Sequence, residues 1–360
     1  MNTTSLFFQL LRIALGANRC LTTAPSEKEW EVIHTLSVEY GLVGVLYHGI
    51  MQLPPEQMPT GEIARMWAEE NRELARRNQM ANRATVTVFN WFHKREMRCC
   101  MLNGQGSAMF YPDAQMRTMD HIDIWVAVDY HAILDIARKQ GVEGRPKYNR
   151  IKWQPCDGID VNLYYYPSYL CNPKYNSRFR RWCRMNSYEQ CTNDRELPGG
   201  AGKVALPTNH FNAIYQLVHM YNRYLSDGLG LRQLTDYFLL LADGRVPLLE
   251  VKKDLEELDM VDFARAVMWL MKEVFDLPKM YLLVEPDADR GRLLLREIIS
   301  SGHFGKYDHR LRNTTHRYAL TAALARFYRN LCFAWQYRRE CAWRPAFRLW
   351  HAFWQIGNRL

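Results

Sequence analysis

The sequence predicts an α+β protein: a small mixed β-sheet core at residues 96–185, flanked by a helical N-terminal region (1–95) and a helical C-terminal region (186–360). Three observations carry this. Residues 62–94 contain no Gly or Pro and are rich in Ala, Glu, Arg, Asn and Met, the composition of one long helix. Residues 121–128 and 159–164 alternate in polarity at the two-residue period of strands. From residue 207 onward a helical period takes over. With 48% hydrophobic and 13% aromatic residues over 360 positions, the chain can fill a large core and does not have the composition of a disordered coil.

Taken in order, Leu6, Leu10, Leu11 and Ile13 form one short apolar stripe. A second helix opens after Ser26, with Glu29 three residues on as a capping box, and carries Trp30, Val32, Ile33, Leu36 and Val38. The prolines before Gly61 make a loop leading into the long helix. Residues 99–102 form a short strand that ends at the Asn103-Gly104-Gln105-Gly106 turn. Residues 121–128 are a strand and 130–139 a helix stopped by Gly141. Residues 150–153 and 159–164 are strands joined through Pro155-Cys156-Asp157-Gly158. Residues 186–206 read as irregular around Pro198-Gly199-Gly200. Helices follow at 210–225 and 229–241, and near 249–258, 260–275, 287–300, 315–337 and 345–356.

The net charge of +9 is concentrated at one end: residues 306–360 hold eleven Lys/Arg against Asp308 and Glu340, so residues 1–305 are balanced. Such a region attracts nucleic acid or another acidic surface. Trp335, Trp343, Trp350 and Trp354 lie among its arginines. That mixture suits stacking on single-stranded nucleic acid, a helix lying on a membrane, or a helical pair with its aromatics on the core, the simplest of the three. The nine cysteines show no C-x-x-C spacing, and reduced thiols in a cytoplasmic protein are the expectation. The N-terminus lacks a basic n-region and Arg12 interrupts its apolar run, which points to an amphipathic helix rather than a signal peptide. No uncharged apolar stretch reaches the roughly 18–20 residues that span a bilayer.

Two carboxylates stand out. Strand residues two apart share a face, so Asp123 sits with His121 and Trp125 opposite Ile122, Ile124 and Val126. Asp160 and Asn162 sit opposite Ile159, Val161 and Leu163. If the strands are neighbours, Asp123 and Asp160 converge on one exposed sheet face. Converging carboxylates beside a glycine turn suit phosphoryl chemistry: oxygen ligands hold Mg²⁺, which grips nucleotide phosphates. Glycines 104 and 106 let backbone N–H groups approach phosphate. Arg117 either reaches phosphate or pairs with Asp113. Arg232 and Asp236 stand at i and i+4, the spacing of an ordinary helix ion pair.

The blocks Met101-Leu102-Asn103-Gly104-Gln105-Gly106-Ser107-Ala108, Tyr111-Pro112-Asp113, Arg117 and Asp120-His121-Ile122-Asp123-Ile124-Trp125-Val126 resemble the uncharacterised nucleotidyltransferase family of Bacteroides-type bacteria, itself similar to the polymerase-β-like nucleotidyltransferase superfamily. Further blocks match in order: Asp160-Val161-Asn162, Pro167-Ser168, Asn172-Pro173, the run from Gly228 to Tyr237, and Gly302-His303-Phe304-Gly305. The resemblance implies metal-dependent transfer of a nucleoside monophosphate from NTP to a protein, RNA, metabolite or sugar acceptor. Asp123 and Asp160 would be catalytic metal ligands for Mg²⁺ or Mn²⁺, with Asp120 or His121 completing the set. Gly104, Gly106 and Ser107 would cradle phosphate, with Arg117 and Arg232 as charge clamps. The chain departs from the family's Gly-Asp-Ile-Asp: His121 stands where the first catalytic Asp is expected, and Asp120 where the Gly is. The alternative expectation is a fold that binds nucleotide or a partner without turnover.

Overall fold

The computed structural model describes residues 3–17, 20–142, 144–156, 158–226, 228–301 and 333–358. Four helices come first: α1 (Thr3–Ala14), α2 (Glu27–Tyr40), α3 (Val43–Ile50) and α4 (Gly61–His93). The backbone N–H of Ser26 donates to the Glu29 carboxylate at 2.9 Å, and α2 stops at Gly41, whose φ of +67° is the left-handed conformation glycine adopts without strain. The 33 residues of α4 form one helix, as the composition predicts. Its inner side carries Trp67, Val88, Phe89 and Phe92.

A four-stranded sheet follows, built from β1 (Cys99–Met101), β2 (Ile122–Val126), β3 (Arg150–Cys156) and β4 (Ile159–Tyr164), in spatial order β1-β2-β4-β3. Strand β2 is antiparallel to β1 and parallel to β4, and β3 is antiparallel to β4, so the sheet is mixed. One-turn α5 (Gln105–Ala108) and α6 (Tyr130–Lys139) connect its first strands. The apolar face of Ile122, Ile124, Val126, Val161 and Leu163 packs under Val88, Phe89 and Phe92 of α4 and Ile133, Leu134 and Ala137 of α6.

Helix α7 (Pro173–Gln190) and the hairpin β5 (Asp194–Leu197) and β6 (Gly202–Ala205) occupy much of the stretch that reads as irregular. The helix escapes the hydrophobic-period test because it buries only Phe179, Cys183 and Gln190. Its start is nonetheless written in the sequence. Asn172 caps it by accepting from the Lys174 N–H at 3.1 Å, and Pro173 takes the first helical position.

Helices α8 (Asn209–Leu225), α9 (Leu231–Ala242), α10 (Leu248–Glu257), α11 (Val261–Glu273) and α12 (Ala288–Ser301) come next, then α13 (Arg338–Cys341) and α14 (Arg344–Gly357). Most of the helix expected near 315–337, the block Gly302-His303-Phe304-Gly305 and Asp157 lie outside the described residues. One apolar cluster runs from Leu6 to Cys341 and joins the N-terminal helices to α8–α12. It also takes in Trp125 and Tyr164 from the second face of the sheet, and Trp125 stacks on Phe211 of α8 at 5.6 Å. The face expected to be open is therefore roofed by helices. No helix among the described residues is long and apolar enough to cross a membrane.

Candidate functional site

Under that roof lies a cavity of about 50 Å³, walled by Asn103 and Gly104 of the β1 turn, Arg117, Asp120, His121 and Asp123 on the approach to and along β2, Arg150 and Tyr164 from the sheet, and Gln216, His219, Met220, Arg223, Arg232, Gln233 and Asp236 from α8 and α9. That is room for a few water-sized groups, the scale of one phosphate.

Asp123 is buried, 4% exposed, because α8 and α9 cover its face. Its neighbour across the parallel pair is Asn162, whose Nδ2 donates to Asp123 Oδ1 at 2.8 Å. His121 Nε2 lies 3.2 Å from the same oxygen. Burial alone would raise the Asp123 carboxyl, but His121, the Asn162 amide and Arg150 outweigh it and hold the group far below the usual carboxylate range. These contacts favour the ionised carboxylate.

Asp160 shares this face, since Asp123 pairs with Asn162 two residues further along β4, a step of about 7 Å. It does not line the cavity. Lys152 on the neighbouring β3 takes its carboxylate at 2.6 Å, and Gln154 donates to it as well. These two contacts lower the Asp160 carboxyl. The structure thus puts both carboxylates on one face but brings only Asp123 into the cavity.

Arg117 and Arg232, the arginines expected to clamp charge, both line the cavity, with partners other than those the spacing suggests. Arg117 does not pair with Asp113, which caps the following turn by accepting from the Gln115 N–H at 2.9 Å. It reaches α9 instead and forms a bidentate pair with Asp236, Nε to Oδ1 and Nη2 to Oδ2, both at 2.8 Å. Both side chains are about 5% exposed, and the Tyr111 hydroxyl adds a bond to Asp236 at 2.7 Å. Arg232 does not pair with Asp236, its i+4 neighbour. It donates to the Thr118 carbonyl at 3.0 Å and to the Asp120 carboxylate. The reason is tertiary: α9 turns Arg232 and Asp236 towards the segment entering β2, so each finds a partner there. Together they lock residues 117–120 beside the cavity.

Of Gly104, Gly106 and Ser107, Gly104 alone lines the cavity. Its φ of +74° is left-handed, and a Cβ there would come within 3.3 Å of the His121 carbonyl oxygen. Gly106 and Ser107 do not reach the cavity. Gln105 donates to the Asn78 carbonyl at 3.1 Å and to the Asn82 side chain at 2.6 Å, which turns this segment into α4. Gly106 then packs against Leu206, where a Cβ would meet Cδ2 at 3.1 Å, and Ser107 is 2% exposed.

Sequence reasoning passes over Arg150, His219 and Arg223. Arg150 has a legible signal, because alternation along β3 puts it on the face of Asp160, and it pairs in register with Tyr164. Gln216, His219 and Arg223 recur at helical spacing on α8, but only the packing of α8 on the sheet aims them at Asp123. Burial first, then Arg223, push the His219 imidazole down to about 3 from 6.5. Below pH about 6.5 the unfolded chain binds a proton here that the folded chain refuses. Stability is therefore expected to fall as pH drops from about 6.5 towards 3, by at most about 1.4 kcal/mol per unit. Urea unfolding at neutral and mildly acid pH tests this; His219→Gln should flatten the slope, and an unchanged slope would assign it to other groups.

The residues do not fit a three-carboxylate metal centre. Among the described residues, no group of three or more His, Cys, Asp or Glu side chains is placed to hold a metal ion. Of the four expected ligands, Asp160 is held by Lys152 outside the cavity and Asp120 by Arg232, which leaves Asp123 with His121. Counting the walls gives four arginines against three aspartates, so the lining suits an anion.

The chain thus presents a mixed sheet with a glycine turn and a carboxylate strand, capped by helices over an arginine-rich cavity. The family model described as uncharacterised nucleotidyltransferase matches residues 26–276, and the chain belongs to that family. Among solved structures, the chain is similar to an antigenic nucleotidyltransferase-like protein from Paracoccidioides brasiliensis, at 12% identity and a TM-score of 0.33, over 58% of this chain and 95% of that one. No curated protein matches the chain.

Proposed function

We propose that the cavity binds the phosphate end of a nucleotide through its arginines, and that the chain acts as a nucleotide-binding protein on a nucleotidyltransferase fold. The observation that carries this is the charge of the lining: Arg117, Arg150, Arg223 and Arg232 stand against Asp120, Asp123 and Asp236, so cations outnumber carboxylates around the cavity. Guanidinium groups recognise phosphate by short charge-assisted hydrogen bonds. The small volume suits a terminal phosphate and leaves the ribose and base at the mouth.

The test is calorimetry of ATP binding, with and without Mg²⁺ or Mn²⁺, on the wild type and Asp123→Asn. In an anion site Asp123 repels phosphate, so binding is expected without divalent ion, and Asp123→Asn should bind as tightly or more tightly. Binding that requires Mg²⁺ or Mn²⁺ and disappears in Asp123→Asn would overturn this reading and favour metal-dependent nucleotidyl transfer.

A further inference from the structure

We propose that a second cleft, between α7 and the carboxyl ends of β2 and β4, is a binding surface for single-stranded nucleic acid. The cleft measures about 650 Å³, against about 50 Å³ for the cavity around Asp123. It lies where the two parallel strands end, the position at which open sheets hold ligands. Tyr166 and Trp125 form part of one wall, and Arg180, Arg181 and Arg184 the other.

The charge pattern of α7 argues for a polyanion. The helix carries Lys174, Arg178, Arg180, Arg181 and Arg184 against a single acid, Glu189, and all five cations are exposed. They recur at spacings of three and four residues, where like charges face each other and destabilise a helix. Among the described residues none of the four arginines pairs with a carboxylate: Arg178 donates to the Glu257 carbonyl at 2.9 Å and Arg180 to the Tyr166 hydroxyl at 2.6 Å. A helix serving only as cover would carry acids at those spacings. Phosphates along a strand would relieve the repulsion.

Aromatic faces complete the pattern. Within the cleft the Arg180 guanidinium lies 3.9 Å from the centre of the Tyr166 ring, and beyond its lining Arg98 lies 5.2 Å from that of Tyr188, in the last turn of α7. Tyr188 is 66% exposed. Cations that follow a backbone, alternating with rings on which bases stack, bind single strands in preference to duplexes, whose bases are already stacked. The proposal stands apart from the Asp123 cavity and does not depend on what that cavity holds.

The experiment is fluorescence anisotropy of a labelled oligouridine twelve-mer with the full chain, across a salt series. Arg180→Ala/Arg181→Ala/Arg184→Ala should weaken binding at least tenfold and reduce the salt slope by about 2, since each lost phosphate contact on a single strand removes about 0.7. Tyr188→Ala should weaken binding about fivefold or more and leave the slope unchanged. The milder pair Arg181→Ala/Arg184→Ala should give an intermediate slope, and an unchanged urea unfolding midpoint in each variant shows that the fold is intact. No binding of the oligonucleotide would overturn the proposal. So would a triple variant that binds like the wild type, or a duplex or polyglutamate that binds as tightly as the single strand.

Discussion

Replacing Asp236 by alanine is expected to cost about 3–5 kcal/mol of unfolding free energy, the typical penalty for removing one partner of a buried ion pair. The loss is large because the Arg117 guanidinium, 5% exposed, has two hydrogen bonds to Asp236 and would be left charged and almost wholly buried without them. Tyr111 would lose its acceptor in the same step. The double variant Arg117→Met/Asp236→Leu should recover much of the loss, since an apolar pair leaves no uncompensated charge behind. Urea denaturation at neutral pH measures both. A cost below about 1 kcal/mol for Asp236→Ala would mean that water reaches Arg117, as for a surface pair.

The second large effect concerns ligand affinity. Arg150→Met and Arg223→Met are each expected to weaken ATP binding about ten- to hundredfold, the worth of one charge-assisted hydrogen bond. The control is Asp160→Asn. Its carboxylate is held by Lys152 outside the cavity, so ATP affinity should change less than about twofold. A large loss in Asp160→Asn with little change in the arginine variants would place the ligand along the sheet edge and against the cavity. The two experiments are separable, since neither Arg150 nor Arg223 takes part in the Arg117–Asp236 pair.

These expectations show how differently the parts of the site reveal themselves. Asp123 and its face were legible because strand alternation is a local property: Ile122, Ile124 and Val126 must point one way, and Asp123 then points the other. Gly104 was legible because a left-handed turn favours glycine. Arg232 and Arg117 were recognisable as candidates, yet their partners were not. The pairs that form span 112 and 119 residues of chain, whereas the spacing pointed to Asp113 and Asp236, each only four residues away. Asp160 shows the same limit from the other side. Its face follows from alternation, but Lys152 on the adjoining strand decides what it touches.

The sequence by itself determined the elements and their buried faces: the long α4, the two strands that carry Asp123 and Asp160, the capping of α2, and membership of a nucleotidyltransferase family. The elements rest on residues within a turn or two of one another, where period, caps and turn chemistry act, and the family rests on blocks in order along the chain. Only the tertiary structure decided that α8 and α9 close over the Asp123 face, that arginines outnumber carboxylates there, and that Gly106 and Ser107 pack inward. The physical reason is range. Burial selects side chains by polarity along a single helix or strand, while a charge is settled by whichever opposite group the packing of distant elements brings within about 3 Å.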